Sequence, residues 1–226
     1  MTIATRSIVL VPGFMTDDEL WRDVAPIFED HELMFAALDK GATLEELAKN
    51  ILLASPPAFV LIGFSMGGYV ARQMAYLAPE RVQALVLAGT SAVAGSPSAS
   101  SERFDPASFQ GLSHSALARA LHPSRAGDVD LLSRLRAMSN RVGGETFVRL
   151  SAIDRPSDVD RLATLKCPTL VIAAAQDRLR SVEESKQMAE ILHAEMVVVD
   201  DCGHMIPIEQ PAQFAHIVRD WLSRLP

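Results

Sequence analysis

The sequence predicts an α/β fold: a doubly wound, mainly parallel sheet of six strands with helices on both faces and a small helical cap inserted before the fifth strand. Three observations predict it. Short, almost continuously apolar runs alternate with amphipathic segments, as expected of strands buried on both faces and joined by crossover helices. A stretch from about Ser91 to Ile153 breaks that alternation and reads as several short helices. Finally, Gly63-Phe64-Ser65-Met66-Gly67-Gly68 sets a serine at a strand-to-helix junction.

In chain order, Ser7 to Val11 is a buried-strand run stopped by Pro12-Gly13. A helix is expected from about Asp18 to Glu29, with acids in its first turn and Leu20, Trp21, Val24, Ile27 and Phe28 as its apolar stripe. Leu33 to Ala37 is a short second strand. Thr43-Leu44-Glu45-Glu46 is a capping-box start for a helix that Pro56-Pro57 ends. Ala58 to Phe64 is the serine strand and Met66 to Ala78 its helix; Val82 to Ala88 follows as the fourth strand. The alternation resumes with a strand from Pro168 to Ala174, a helix from Ser185 to Leu192, a last strand from Ala194 to Val199 and a closing helix from Pro211 to Leu225. The core is thus residues 1–90 and 154–226, and the cap 91–153. The cap opens on a Ser-, Ala-, Gly- and Pro-rich stretch, Gly95 to Ser101, expected to be mobile, and continues with helices near Ser115 to Leu121 and Asp130 to Asn140.

With 226 residues, 49% of them hydrophobic and 22% charged, the chain has the material for one globular domain with a large core. A net charge of -7 argues against a nucleic-acid partner, which needs a basic surface. No apolar run approaches the ~20 residues of a membrane span, and the start shows no signal-peptide pattern, so no membrane association is expected. Cys167 and Cys202 fall at opposite ends of two neighbouring strands, roughly 15 Å or more apart at ~3.3 Å per residue, too far for a disulfide. A cytoplasmic location is the expectation.

Glycines two positions either side of Ser65, Gly63 and Gly67, let backbone approach a very tight turn that lifts the hydroxyl off the sheet edge at a helix N-terminus. A serine hydroxyl needs a base, and the base an acid to orient it. Of six histidines, only His204 directly follows a strand end, on a carboxyl-edge loop. His31, His193 and His216 fall on predicted helices or their ends, where packing or solvation is their ordinary role; His114 and His122 lie in the cap. Asp177 follows the fifth strand, which ends in small residues. Asp200 and Asp201 are rivals so near His204 that shaping its turn suits them better, and Asp154 sits at the cap's exit. The fourth strand ends in Gly89-Thr90-Ser91, without a carboxylate. The order Ser65, Asp177, His204, each on its own carboxyl-edge loop, points to a nucleophile, acid and base.

Gly63 to Gly68, Cys167-Pro168-Thr169-Leu170-Val171-Ile172 with Gln176-Asp177, and Asp201-Cys202-Gly203-His204-Met205 with Ile208-Glu209-Gln210-Pro211 resemble the nucleophile elbow, acid loop and histidine loop of the α/β-hydrolase superfamily. The likeness covers nearly the whole chain and is nearest to small bacterial esterase and lactonase-like members, such as the pimeloyl-carrier-protein methyl esterases and enol-lactonases. It implies an α/β-hydrolase fold beginning at the third of the usual eight strands, with its six strands ordered second, first, third, fourth, fifth, sixth. One departure is Pro12-Gly13 where relatives carry His-Gly; the glycine is kept, so the N–H of Phe14 can still serve.

The resulting expectation is a serine hydrolase acting on a small carboxylic ester or lactone. Ser65 would be nucleophile, His204 base and Asp177 the orienting acid, with the backbone N–H groups of Phe14 and Met66 as oxyanion donors. No metal or organic cofactor is required, and no ligand-spaced cluster stands out. Phe14, Phe64, Met66, Met205 and Ile206 would surround the site with apolar surface. From Ala92 to Leu150, seven arginines face five acids; this permits an anionic substrate or a carrier protein, although exposed charges on solvated helix faces are the norm. Two other classes share the scaffold: a lyase using the triad for proton transfer, and a small-ligand receptor with slight turnover. Haloalkane dehalogenase and epoxide hydrolase chemistry is disfavoured, because those relatives carry Asp where Ser65 stands.

Overall fold

The computed structural model describes residues 5–95 and 105–225. The strands β1 (Ser7–Val11), β2 (Glu32–Phe35), β3 (Phe59–Phe64), β4 (Val82–Ala88), β5 (Thr169–Ala174) and β6 (Glu195–Val199) form one sheet in the order β2-β1-β3-β4-β5-β6. Every pairing is parallel, as the apolar runs required. Register puts Val11 beside Gly63 and Phe64 beside Ala88, so β1, β3 and β4 end level. Their following loops therefore share one edge.

Period-two alternation divides the sheet's side chains between two cores. Ile8, Leu10, Val60, Ile62, Val86 and Ile172 pack on one side, against Trp21, Phe28 and the closing helix α9 (Pro211–Ser223). Val9, Val11, Leu61, Leu85, Leu87 and Val171 pack on the other, against α1 (Leu44–Ala54), α2 (Met66–Leu77) and α7 (Val182–Leu192). Thr43 caps α1, its hydroxyl accepting from the N–H of Glu46, and Ser181 with Glu184 forms a capping box on α7.

The expected helix from Asp18 to Glu29 is a correction. Two short 3₁₀ helices, Asp18–Trp21 and Ala25–Phe28, stand in its place. Pro26 has no N–H to give and obstructs the preceding turn, so the stripe of Leu20, Trp21, Val24 and Phe28 is buried without a continuous α-helix.

Between β4 and β5 the alternation is broken by α3 (His114–Ala120), α4 (Val129–Val142), α5 (Gly144–Ala152) and the short α6 (Val159–Leu162). Most of the Ser-rich stretch expected to be mobile, together with Glu102 and Arg103, lies outside the described residues. Several arginines of this segment bind the core, while Arg119, Arg136 and Arg141 stay exposed, as expected of solvated faces. Arg134 pairs with Glu19 at 3.2 Å and with Asp23, Arg141 with Asp17 at 2.7 Å, and Arg125 with Glu209 at 3.1 Å. Arg149 donates to the carbonyls of Gly41 and Leu38, both at 2.6 Å.

Both cysteines are free, Cys202 buried and Cys167 half-buried. Burial pushes the Cys202 thiol well above its usual range, which keeps it a protonated, inert packing group. Among the described residues no helix is long and apolar enough to cross a membrane, and no group of three or more His, Cys, Asp or Glu is placed to hold a metal ion.

Candidate active site

Ser65 sits between β3 and α2 with φ 50° and ψ -115°, a backbone conformation that L residues rarely adopt. Its N–H donates to the carbonyl of Ala88 at the end of β4, and its carbonyl accepts from Gly68. The turn is this tight because its flanks lack Cβ atoms. A Cβ on Gly63 would lie 2.7 Å from that of Ala71, and one on Gly67 would run into the carbonyl oxygens of Val11 and Pro12. Gly67 is thus where β1's end and the elbow helix touch.

The loops after β5 and β6 bring the other two residues in. The N–H of Gln176 donates to the carbonyl of Cys202, and the side-chain oxygen of Gln176 accepts the N–H of Cys202, both at 3.0 Å. With the loops so joined, His204 Nδ1 lies 2.7 Å from Asp177 Oδ2, and Nε2 lies 2.8 Å from Ser65 Oγ. Asp177 Oδ1 accepts the N–H groups of Leu179 and Arg180 at 2.7 and 2.9 Å. The imidazole is thus held with Nδ1 toward the carboxylate and Nε2 toward the serine hydroxyl. The Asp177 side chain is 1% exposed and that of His204 6%. The imidazole also packs 5.2 Å from the Phe64 ring.

The rivals are placed elsewhere. Asp201 has φ 49° and its carbonyl accepts from Gln210, a turn-shaping role. Asp154 is exposed after α5. His114 and His122 line neither of the cavities at Ser65. His122 instead bonds Ser124 and gives its N–H to Glu209.

Of the residues expected to surround the site, Phe14, Phe64 and Met205 line a cavity of about 250 Å³ with Ser65 and His204, whose roof is Leu112, Leu117 and Leu135 from the segment before β5. Met66 lines a second opening, and Ile206 is buried in the core behind. Met66 is the first residue of α2, where an N–H has no intrahelical acceptor. Gly13, which precedes Phe14, abuts Phe64 and Ser65.

Two supporting features were not foreseen. Glu209, its side chain fully buried, accepts the N–H groups of Gly203 and His122 and pairs with Arg125. Arg72, buried on α2, grips Asp158 through two bonds of 2.7 and 2.9 Å and donates to the carbonyl of Ser91. Tyr76 also donates to Asp158, and burial pushes its phenol well above the usual range. The sequence signal for Glu209 was an acid inside the apolar Ile206-Pro207-Ile208 run; Arg72 carried none beyond being a charge on a helix otherwise rich in small and apolar residues.

Known proteins resemble this arrangement in sequence and in shape. A 3-oxoadipate enol-lactonase of Acinetobacter baylyi is 28% identical over 174 residues, 74% of this chain and 65% of its own. A 2-hydroxymuconate semialdehyde hydrolase of a Pseudomonas strain is 32% identical over 176 residues, 72% of this chain and 61% of its own. The chain therefore spans somewhat under two thirds of the length of these relatives. A thermophilic esterase from Thermogutta terrifontis superposes with a TM-score of 0.86 at 27% identity, covering 99% of this chain and 92% of that one. Residues 8–217 match the Alpha/beta hydrolase family, and with the sheet order and site geometry agreeing, the chain belongs to that family.

Proposed function

We propose that the protein is a serine hydrolase that cleaves a small carboxylic ester or lactone through an acyl-enzyme. The observation that carries this reading is the unbroken chain of hydrogen-bonding atoms from Ser65 Oγ through His204 to the buried Asp177, at the floor of an apolar cavity. His204 Nε2 takes the proton of Ser65 as Oγ bonds to the carbonyl carbon. Asp177 holds the tautomer and stabilises the imidazolium. The backbone N–H groups of Phe14 and Met66 receive the oxyanion, a contribution of about 3 kcal/mol each in comparable sites. The alcohol then leaves with the proton from His204. Water, deprotonated by the same nitrogen, attacks the acyl carbon and releases the acid, restoring the Ser65 hydroxyl. In this reading the segment 91–153 is the cap that roofs the cavity.

The names of the relatives, an enol-lactonase, an esterase and a hydrolase of a semialdehyde, agree with a small-molecule substrate. A carrier protein draws little support from the cap arginines, since Arg125, Arg134, Arg141 and Arg149 are engaged within the chain. The test is hydrolysis of p-nitrophenyl acetate, butyrate and octanoate by wild type and Ser65→Ala, with covalent labelling by a fluorophosphonate. Expected is labelling of wild type alone, turnover that Ser65→Ala lowers by about 10⁴-fold or more, and preference for the shorter chains. Folded protein that neither labels nor turns over would remove the activated serine from consideration.

A further inference from the structure

The loop after β1 that carries Phe14 holds a costly conformation. Met15 has φ 56°, in the left-handed region that residues with a side chain seldom adopt. Thr16 closes the turn, its N–H and its hydroxyl both donating to the carbonyl of Gly13, at 3.4 and 3.1 Å. Met15 packs into the core on the side of α1 and α2, and Phe14, half-buried, borders both cavities that open on Ser65. A strained loop keeps its shape only while its surroundings over-determine it. Whatever holds the Phe14 ring therefore helps to hold the backbone N–H of the same residue.

A ring from the segment before β5 meets it. Phe147, on α5, lies 5.9 Å from the Phe14 ring, centroid to centroid, with the planes tilted by 59°, an arrangement aromatic pairs favour. Behind it Phe109 stacks on Phe147 at 5.0 Å. The helix is secured toward both ends. A Cβ on Gly144, its first residue, would run into the carbonyl oxygen of Pro106 and meet Phe109, so α5 starts pressed against the chain that bears that ring. Near the other end Arg149 donates to the carbonyls of Gly41 and Leu38, beyond β2. Phe147 is thus a ring on a firm mount with the strained loop in front of it. It borders neither cavity at Ser65 and lines instead an outer hollow with Phe109 and Leu112. Its route to the reacting atoms is the Phe14 ring.

We propose that Phe147 is a positioning residue for the oxyanion site: through Phe14 it fixes the direction of the N–H that receives the negative oxygen, so that site is complete only while α5 is seated. The reaction in this inference rests on the hydrolase reading; the contact rests on the rings. An oxyanion exists in the transition state and not in bound substrate, so a misdirected donor slows the chemical step and leaves binding nearly unchanged. Acylation and deacylation both pass through an oxyanion and slow together, which preserves KM. A ring that only packs has another signature. Its loss lowers the fraction of folded protein and leaves each folded molecule as fast as before.

The test compares wild type with Phe147→Ala, Phe147→Leu, Phe147→Tyr and Leu132→Ala. Leu132 is buried on α4 and borders none of these cavities, so its truncation loosens the same segment without reaching Phe14. Fluorophosphonate labelling carried to completion counts the active serines, and turnover of p-nitrophenyl butyrate is expressed per labelled serine. Inhibition is measured with butyl trifluoromethyl ketone and with butyl methyl ketone. Ser65 Oγ bonds to the carbonyl carbon of the first as His204 takes its proton, and the carbonyl electron pair becomes an oxyanion; the second binds without that adduct. Phe147→Ala is expected to lower kcat per labelled serine by about tenfold or more, short of the full loss of a donor, with KM held within about twofold. It weakens the trifluoromethyl ketone by the same factor and leaves the methyl ketone unchanged. Phe147→Leu, which keeps apolar bulk, falls the same way by a smaller factor and decides the matter where the alanine variant does not fold. Phe147→Tyr keeps the ring and the rate, and Leu132→Ala loses stability without losing kcat per labelled serine. An unchanged kcat in Phe147→Ala and Phe147→Leu, a loss carried by KM, an equal loss in Leu132→Ala, or equal weakening of both ketones overturns the proposal. Wild type that neither labels nor turns over removes the hydrolase reading and this inference with it; wild type that does both, matched by the Phe147 variants, removes the inference alone.

Discussion

At Ser65 the chain accepts a backbone conformation that costs on the order of 1–3 kcal/mol, because β1, β3 and α2 meet around it with no room to relax. The strain holds a short side chain away from its own helix and toward His204. Gly67 sustains it, since the carbonyl oxygens of Val11 and Pro12 occupy the space a methyl group would need. Gly67→Ala is therefore expected to push α2 away from β1 and carry Ser65 with it, lowering kcat/KM by about 10²-fold or more, the usual cost of a displacement of about 1 Å. Esterase assays on the purified variant decide this; near-normal turnover would mean the contact can be relieved without moving the serine. Both elbow glycines and all three polar residues were readable in the sequence because each stands next to a strand end, where period and punctuation fix position.

The strands and their order were legible, since runs such as Val82–Ala88 can be buried on both faces only in a covered parallel sheet. The Asp18 to Glu29 stretch misled because its apolar spacing is helical while Pro26 forbids the hydrogen bonds. A buried stripe needs only the correct side, which two 3₁₀ turns supply. Loops were legible in place and not in linkage. Glu209, in the short helix α8 (Ile206–Glu209), fastens the residue before His204 to His122, which precedes the short 3₁₀ helix Pro123–Arg125, so one carboxylate holds two loops. Glu209→Ala leaves two N–H groups without their acceptor and Arg125 without its nearer carboxylate, and should cost about 2–4 kcal/mol. Amide hydrogen exchange should rise together at residues 201–205 and 121–126. A rise in only one of these stretches would show that the loops are held independently.

Taken as a whole, the molecule sets an arginine-bearing segment on an acidic core, with Asp17, Glu19 and Asp23 as its seat. The carboxyl of Asp23 shows the balance: burial raises its pKa, but the bond and charge of Arg134 outweigh that and hold it below the usual carboxylate range. The seat is then fully formed at neutral pH and is lost as pH falls through that lowered value. Arg134→Met is expected to cost about 1 kcal/mol, given the partial exposure of its partners, and to speed hydrogen exchange in α4 while β3 and β4 stay protected. Unaltered exchange in α4 would mean that apolar packing alone seats the segment. The charge asymmetry was visible in the sequence; its destination was not, because pairing across more than a hundred residues is decided by the fold. Where that segment leaves and rejoins the sheet, Arg72 holds Ser91 and Asp158 to one helix, and the N–H of Asp158 reaches the carbonyl of Ala92 at 3.2 Å. The two ends are stapled side by side by the core itself, so what is strung between them behaves as an interchangeable cassette. Lengthening it costs only about 0.6 kcal/mol per doubling in closure entropy, and leaves Ser65, Asp177 and His204, which all lie outside it, where they stand.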